Sequence, residues 1–176
     1  MHVKAKKTAF LGLLAAFSVL LIILGSVFES STLFFLCAAA FCVGIADREW
    51  GVKYGGAFLA ASAFTAFFVS PVKMYCFTYT AMGLYLWISE ILWDRISKSE
   101  IKKKTAVLWA GRYIIFNVIY LPVIGLFPSL FIAKEAGGKI LVIFALAGQA
   151  GLFIFEKAHE YFQLFIWNKL RKYVFK

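Results

Sequence analysis

The sequence predicts an all-α integral membrane protein: a six-transmembrane-helix bundle with both termini cytoplasmic and a C-terminal helical extension at the cytoplasmic interface. Three observations predict it. The 176 residues are 62% hydrophobic with mean hydropathy +0.83, well above the apolar share of a soluble domain. The apolar residues fall into six stretches separated by short charged or turn-forming segments. When each stretch crosses once, Lys4, Lys6, Lys7, Arg48, Lys53, Arg95, Lys98, Lys102, Lys103, Lys104, Lys157, Lys169, Arg171, Lys172 and Lys176 share one face. Only Lys73, Lys134 and Lys139 fall on the other, and Arg112 is left inside a span. Basic residues stay cytoplasmic during insertion, so this sorting places both ends inside.

The elements follow in order. Span one, about 8–28, comes after the basic Lys4-Ala5-Lys6-Lys7 and stops at Glu29-Ser30-Ser31. Its length exceeds a signal core and no small-residue cleavage site follows it, so no removable leader is expected. Span two, about 32–46, is short and ends at Asp47-Arg48-Glu49-Trp50. At a rise of 1.5 Å per residue it covers about 24 Å, less than a ~30 Å hydrocarbon core, and so should lie near the membrane normal. Span three, about 54–69, ends at Ser70-Pro71, and span four runs about 73–93. The most basic loop follows, Asp94 to Lys104. Span five covers about 105–126, with Pro122 expected to bend its outer end. Span six is about 140–157.

Two segments are not simple connections. Phe127 to Lys134 is apolar but too short to span; it reads as an outer interfacial or capping helix ended by Gly137-Gly138. The tail, 158–176, places Phe162, Phe165, Ile166, Leu170 and Tyr173 at three- and four-residue spacing among Lys169, Arg171 and Lys172. That suits a helix continuing span six along a surface of anionic lipid. One transmembrane domain, 1–176, is the simplest organisation.

The net charge of +10 belongs to loops flanking spans, where topology explains it, so nucleic acid is excluded as a partner. Cys37, Cys42 and Cys76 form no CxxC and read as apolar filler. His2 and His159 both fall outside the membrane core, so no intramembrane metal or Ser–His couple is expected. There is no HExxH, GxSxG or phosphate loop. The chain is expected to be no enzyme and to hold no cofactor or metal.

Four sets of residues carry functional expectations. Small residues at four-residue spacing let helix backbones approach closely: Ala15 and Ala16 in span one, and Gly56, Ala57, Ala60, Ala61 and Ala63 in span three, are candidates for docking a partner. Arg112 sits about 10 Å inside the cytoplasmic boundary and needs a counter-charge. Glu156 and Glu90 lie near its level, and Gln149, Asn117 and Tyr113 extend a polar network. Glu29, Lys73, Tyr75, Tyr79, Asn117 and Tyr120, with Lys134 and Glu135, mark the outer half and are candidates for a small-molecule pocket. Asp47 and Glu49 flank Arg48 in a cytoplasmic turn, as a solvated loop or, alternatively, for lipid head-group or metal chemistry.

The opening run Lys6-Lys7-Thr8-Ala9-Phe10-Leu11-Gly12-Leu13-Leu14-Ala15-Ala16-Phe17-Ser18-Val19-Leu20, with the six-span layout, resembles the substrate-binding S component of energy-coupling factor (ECF) transporters. The resemblance implies capture of a small molecule from outside. It also implies docking, through the small residues of the first three spans, onto a membrane scaffold subunit driven by two ATPases. Capping loops would lie near Glu29 and Lys73. Two rival readings stand beside it. One is a non-catalytic membrane subunit or assembly factor that binds another membrane protein through the same small-residue faces. The other is a lipid-handling membrane enzyme using Asp47, Glu49 or Arg112.

Overall fold

The structure, a computed structural model, describes residues 2–100, 102–126 and 138–174. Among them every regular element is helical. Helices α1 (His2–Val27), α2 (Thr32–Trp50), α3 (Val52–Val69), α4 (Lys73–Lys98), α5 (Lys104–Leu126) and α6 (Gly138–Tyr161) each overlie one of the six apolar stretches; α1 starts before its stretch, and α2, α4 and α6 run on past 46, 93 and 157 through the charged residues that follow. The expected capping helix at 127–134 lies outside the described residues, as do Lys134 and Glu135. α1, α2, α3 and α5 are each long and apolar enough to cross a membrane. Their flanks agree: Leu13, Phe17, Phe34, Phe64, Phe68, Ile114 and Val118 are all exposed, and so many bare large apolar side chains suit lipid rather than water.

Punctuation explains the boundaries. A 3₁₀ turn, Glu29–Ser31, joins α1 to α2, and the Thr32 hydroxyl donates back to the Gly25 carbonyl at 2.7 Å. Gly51 alone separates α2 from α3, with φ 89°, a conformation that penalises any residue bearing a Cβ. Its N–H caps α2 by donating to the Asp47 carbonyl at 2.8 Å. Ser70-Pro71 ends α3, since proline disfavours a helical residue before it. Pro122 stands inside α5, where it leaves the Val118 carbonyl without its helical donor. Beyond α6 the chain stays helical, as Phe162–Trp167 winds in a π-helix and Asn168–Val174 forms α7.

The chain divides into two compact units, Met1–Ile91 and Leu92–Lys176. In the first, α1, α2 and α3 pack against one another in all three pairings. α2 is the central helix, and Ala39, Ala40, Phe41, Cys42, Val43, Gly44, Ile45 and Ala46 are all buried in an unbroken run. Alanines there let both neighbours approach, so dispersion replaces the hydrophobic drive that lipid does not supply. The N-terminal part of α4 joins them through Tyr79. Its ring is fully buried, and its hydroxyl meets Ser62 Oγ of α3 at 2.6 Å and Ser18 Oγ of α1 at 3.2 Å. Three helices are thus pinned at one polar point, and Ser18 also donates to the Ala39 carbonyl of α2 at 3.3 Å.

In the second unit α5 packs on α6. Asn117 and Gln149 exchange amide hydrogen bonds at 2.8 and 3.3 Å. Trp109 stacks on Phe153, centroids 5.6 Å apart. Gly148 leaves the room that the Tyr120 ring fills, because a Cβ there would overlap the ring.

Candidate functional site

The α3–α4 crossing of the first unit is built on glycines. A Cβ at Gly56 would stand 2.9 Å from the Trp87 indole, closer than real contacts allow. Trp87 is held there by its own N–H, which donates to the Val52 carbonyl at 2.8 Å. Beside this contact lies an open groove of about 310 Å³. Gly56, Ala57, Leu59, Ala60 and Ala63 form the α3 wall, Thr80, Leu84 and Trp87 the α4 wall, and Lys53 stands at the mouth. Gly56, Leu59, Ala60 and Ala63 recur at three- and four-residue spacing, which puts them on one helix face. Ala57 and Ala60 are exposed, so the groove opens outward, and Phe64 and Phe67 further along α3 are exposed as well.

Four of the seven small residues expected to dock a partner therefore share one groove. Ala61 is exposed outside its lining, and Ala15 and Ala16 lie on α1. The residues expected to form an outer pocket divide between the two units. Glu29 is exposed in the 3₁₀ turn. The Lys73 ammonium caps α3, donating to the Phe67 carbonyl and to the Ser70 carbonyl at 3.0 Å. Tyr75 is half-buried, and Tyr79 is enclosed at the three-helix pin. In the second unit, Asn117 donates to the Tyr113 carbonyl at 2.7 Å as well as pairing with Gln149, and Tyr120 stacks on Phe116, centroids 4.7 Å apart.

Two charged clusters complete the picture, one in each unit. In the second, Arg112 of α5 reaches Glu156 Oε2 at 3.0 Å and Glu160 Oε1 at 3.2 Å. Arg112 and Glu156 are 6% and 0% exposed, so this pair works in a low-dielectric interior. Lys157 bonds Glu160 at 3.0 Å from outside. Burial alone would raise the Glu160 carboxyl, but hydrogen bonds from Lys157 and Arg112, with their positive charges, outweigh it and hold it below the usual carboxylate range. His159 and Gln163 lie buried on the same helix, their side chains 3.2 Å apart. Sequence reasoning placed His159 with the exposed tail. The signal was available in the spacing: Glu156, His159, Gln163 and Trp167 follow each other at three or four residues and share a face.

In the first unit, Glu90 of α4 is taken by Arg48, with Nη2 and Nε 2.8 and 2.9 Å from Oε1. Next to Arg48, Asp47 is 5% exposed. Neither of its carboxyl oxygens has a hydrogen-bond partner, although Glu90 and Arg48 are close enough to act on it electrostatically. Asp47 was expected in a solvated turn; it is buried because Gly55 leaves a gap into which the carboxyl packs. Among the described residues no group of three or more His, Cys, Asp or Glu side chains is placed to hold a metal ion.

A scan against protein-family models finds no match, and neither curated proteins nor solved structures yield one. The functional reading therefore rests on the geometry and on the sequence itself.

Proposed function

We propose that this chain is a non-catalytic subunit of the cytoplasmic membrane that docks a transmembrane helix of a larger membrane assembly in the α3–α4 groove. One observation carries the reading: an outward-facing groove lined by Gly56, Ala57, Ala60 and Ala63 on a surface otherwise covered by large apolar side chains. Small residues in lipid favour a partner backbone at close range, where packing contacts add without side-chain entropy cost. Lys53 at the mouth suits a partner whose helix ends there in a carboxylate or a free carbonyl terminus. In this reading α1 to α6 all span and both termini are cytoplasmic. α4 and α6, of 26 and 24 residues, reach about 39 and 36 Å at 1.5 Å per residue, enough to cross a ~30 Å core. The one-sided basic residues supply the orientation.

The S-component resemblance gives this reading a more specific form. The assembly would then be an ECF scaffold subunit with its ATPases, and the cargo a small molecule taken from outside. What favours this form is that the residues it implies for docking include Ala57, Ala60 and Ala63 of the groove.

Affinity purification of the tagged chain from its own host in mild detergent, with mass spectrometry of everything retained, tests both levels. The proposal expects a stoichiometric membrane protein that is lost in Ala60→Phe, a change that fills the groove without entering the core. Retention of the same partner by Ala60→Phe would sink the groove assignment. A scaffold with ATPases would select the transporter form, and any other membrane protein the assembly-subunit form.

A further inference from the structure

Asp47 is one residue beyond the apolar stretch Thr32–Ala46 and is packed where a charge has no support. Its carboxyl lies against the Gly55 backbone of α3, so closely that a Cβ at 55 would overlap it. It is 5% exposed, and neither oxygen meets a donor. Of the neighbouring charges, Lys7, Arg48 and Glu90 have contacts of their own. On α1, the Lys7 ammonium sits over the Tyr54 ring at 2.9 Å and the Trp50 ring at 4.9 Å. On α2, Arg48 is bound to Glu90, and Glu49 is half-buried. On α3, Lys53 stands at the groove mouth. On α4, Glu90 adds a second carboxylate near the first. An ionised carboxylate in such a place loses its hydration and gains no partner, whereas the neutral acid keeps most of what it had.

We propose that Asp47 is a proton-binding site, and that release of its proton loosens α4 from the α2–α3 turn and widens the docking groove. The proton joins one carboxyl oxygen from cytoplasmic water and leaves by the same route, so nothing else is consumed. The coupling follows from who can answer the new charge. Arg48 is the adjacent cation, and two carboxylates then compete for one guanidinium. Whatever Asp47 gains, Glu90 loses, and Glu90 is one turn along α4 from Trp87, whose indole ties α4 to the Val52 carbonyl. The site itself is independent of the docking reading; only the consequence for the groove rests on it.

The test uses the full chain in lipid nanodiscs. Infrared difference spectra across a pH series should show a protonated-carboxyl C=O band at neutral pH that fades as pH rises. The band should be absent in Asp47→Asn. It should also be lost at neutral pH in Glu90→Gln, where Arg48 is released to pair with an ionised Asp47. Coincident spectra for the wild type and Asp47→Asn would overturn the site. Spin labels on Ala57→Cys and Leu84→Cys, in a background without the native cysteines, read the groove. Their separation should lengthen as the band fades and stay fixed in Asp47→Asn; an invariant separation in the wild type would overturn the coupling. Neither measurement involves a partner, so failure of the Ala60→Phe purification leaves both readouts intact.

Discussion

Replacing Arg112 by Met removes the guanidinium from a place where two carboxylates depend on it. Glu156 is 0% exposed and 3.0 Å from the charge it would lose. With an effective dielectric constant near 20, a pair at that separation attracts by about 5 kcal/mol. Desolvation has already cancelled part of this, and truncating one partner of a buried pair costs about 3–5 kcal/mol in practice. Glu160 adds little, since its side chain is 34% exposed and keeps Lys157. The single variant should therefore lose about 3–4 kcal/mol in equilibrium unfolding from mixed micelles. The double variant Arg112→Met with Glu156→Gln should recover most of that, because the stranded charge is gone and an uncharged pair of similar volume replaces it. Additive losses in the double variant, or a single-variant loss below about 1 kcal/mol, would refute the view that Arg112 acts chiefly by neutralising Glu156.

Two further outcomes follow from the same geometry. Tyr79→Phe keeps the ring and removes only the hydroxyl; Ser62 retains the Phe58 carbonyl at 2.8 Å and Ser18 the Ala39 carbonyl at 3.3 Å, so thermal unfolding should report a loss of about 1 kcal/mol, against about 3–5 kcal/mol for Tyr79→Ala, which empties the three-helix pin. Glu160 binds its proton less readily folded than unfolded, so its contribution is complete above the ordinary carboxylate value of 4.5 and is lost as pH falls through the lower folded value; stability scans in that acid window should fall more steeply for the wild type than for Glu160→Gln.

The helices were legible because some stop signals are local: Gly51 and Ser70-Pro71 each break the pattern where a helix ends, whereas the charged runs at 4–7 and 94–98 bound the apolar stretches but lie inside α1 and α4. The need of Arg112 for a counter-charge was also legible, because burial of a lone charge in a span is costly wherever the helix points. Its choice of partner was not, since that depends on the rotation of α5 and α6 about their axes. The same blindness hid Asp47. A charged tetrapeptide at a helix end reads as solvated, and only the close approach of α3 at Gly55 encloses it. Tyr79 shows what chemistry alone leaves open: its aromatic hydroxyl suits a ligand pocket, and the structure adds that Ser18 and Ser62, far away in sequence, meet it. The small residues of α3 spaced four apart were visible; that Gly56, Ala57, Ala60 and Ala63 would share a groove with Leu84 and Trp87 required the partner helix.

The π-turn at Phe162–Trp167 makes the C-terminal segment a helix wound out of phase with the one that precedes it. The Asn168 N–H donates to the Gln163 carbonyl, five residues back instead of four, so the local ladder carries one residue more than an α-helix needs. Every side chain after it is offset by about 100° from where uninterrupted winding would set it. Losing one residue from this stretch would leave the backbone a fully bonded α-helix while swinging Lys169, Arg171 and Lys172 to a different heading around the axis. Heading and helicity are thus separable in this tail, and its basic side chains can be re-aimed by a change of one residue in length with no new contact designed.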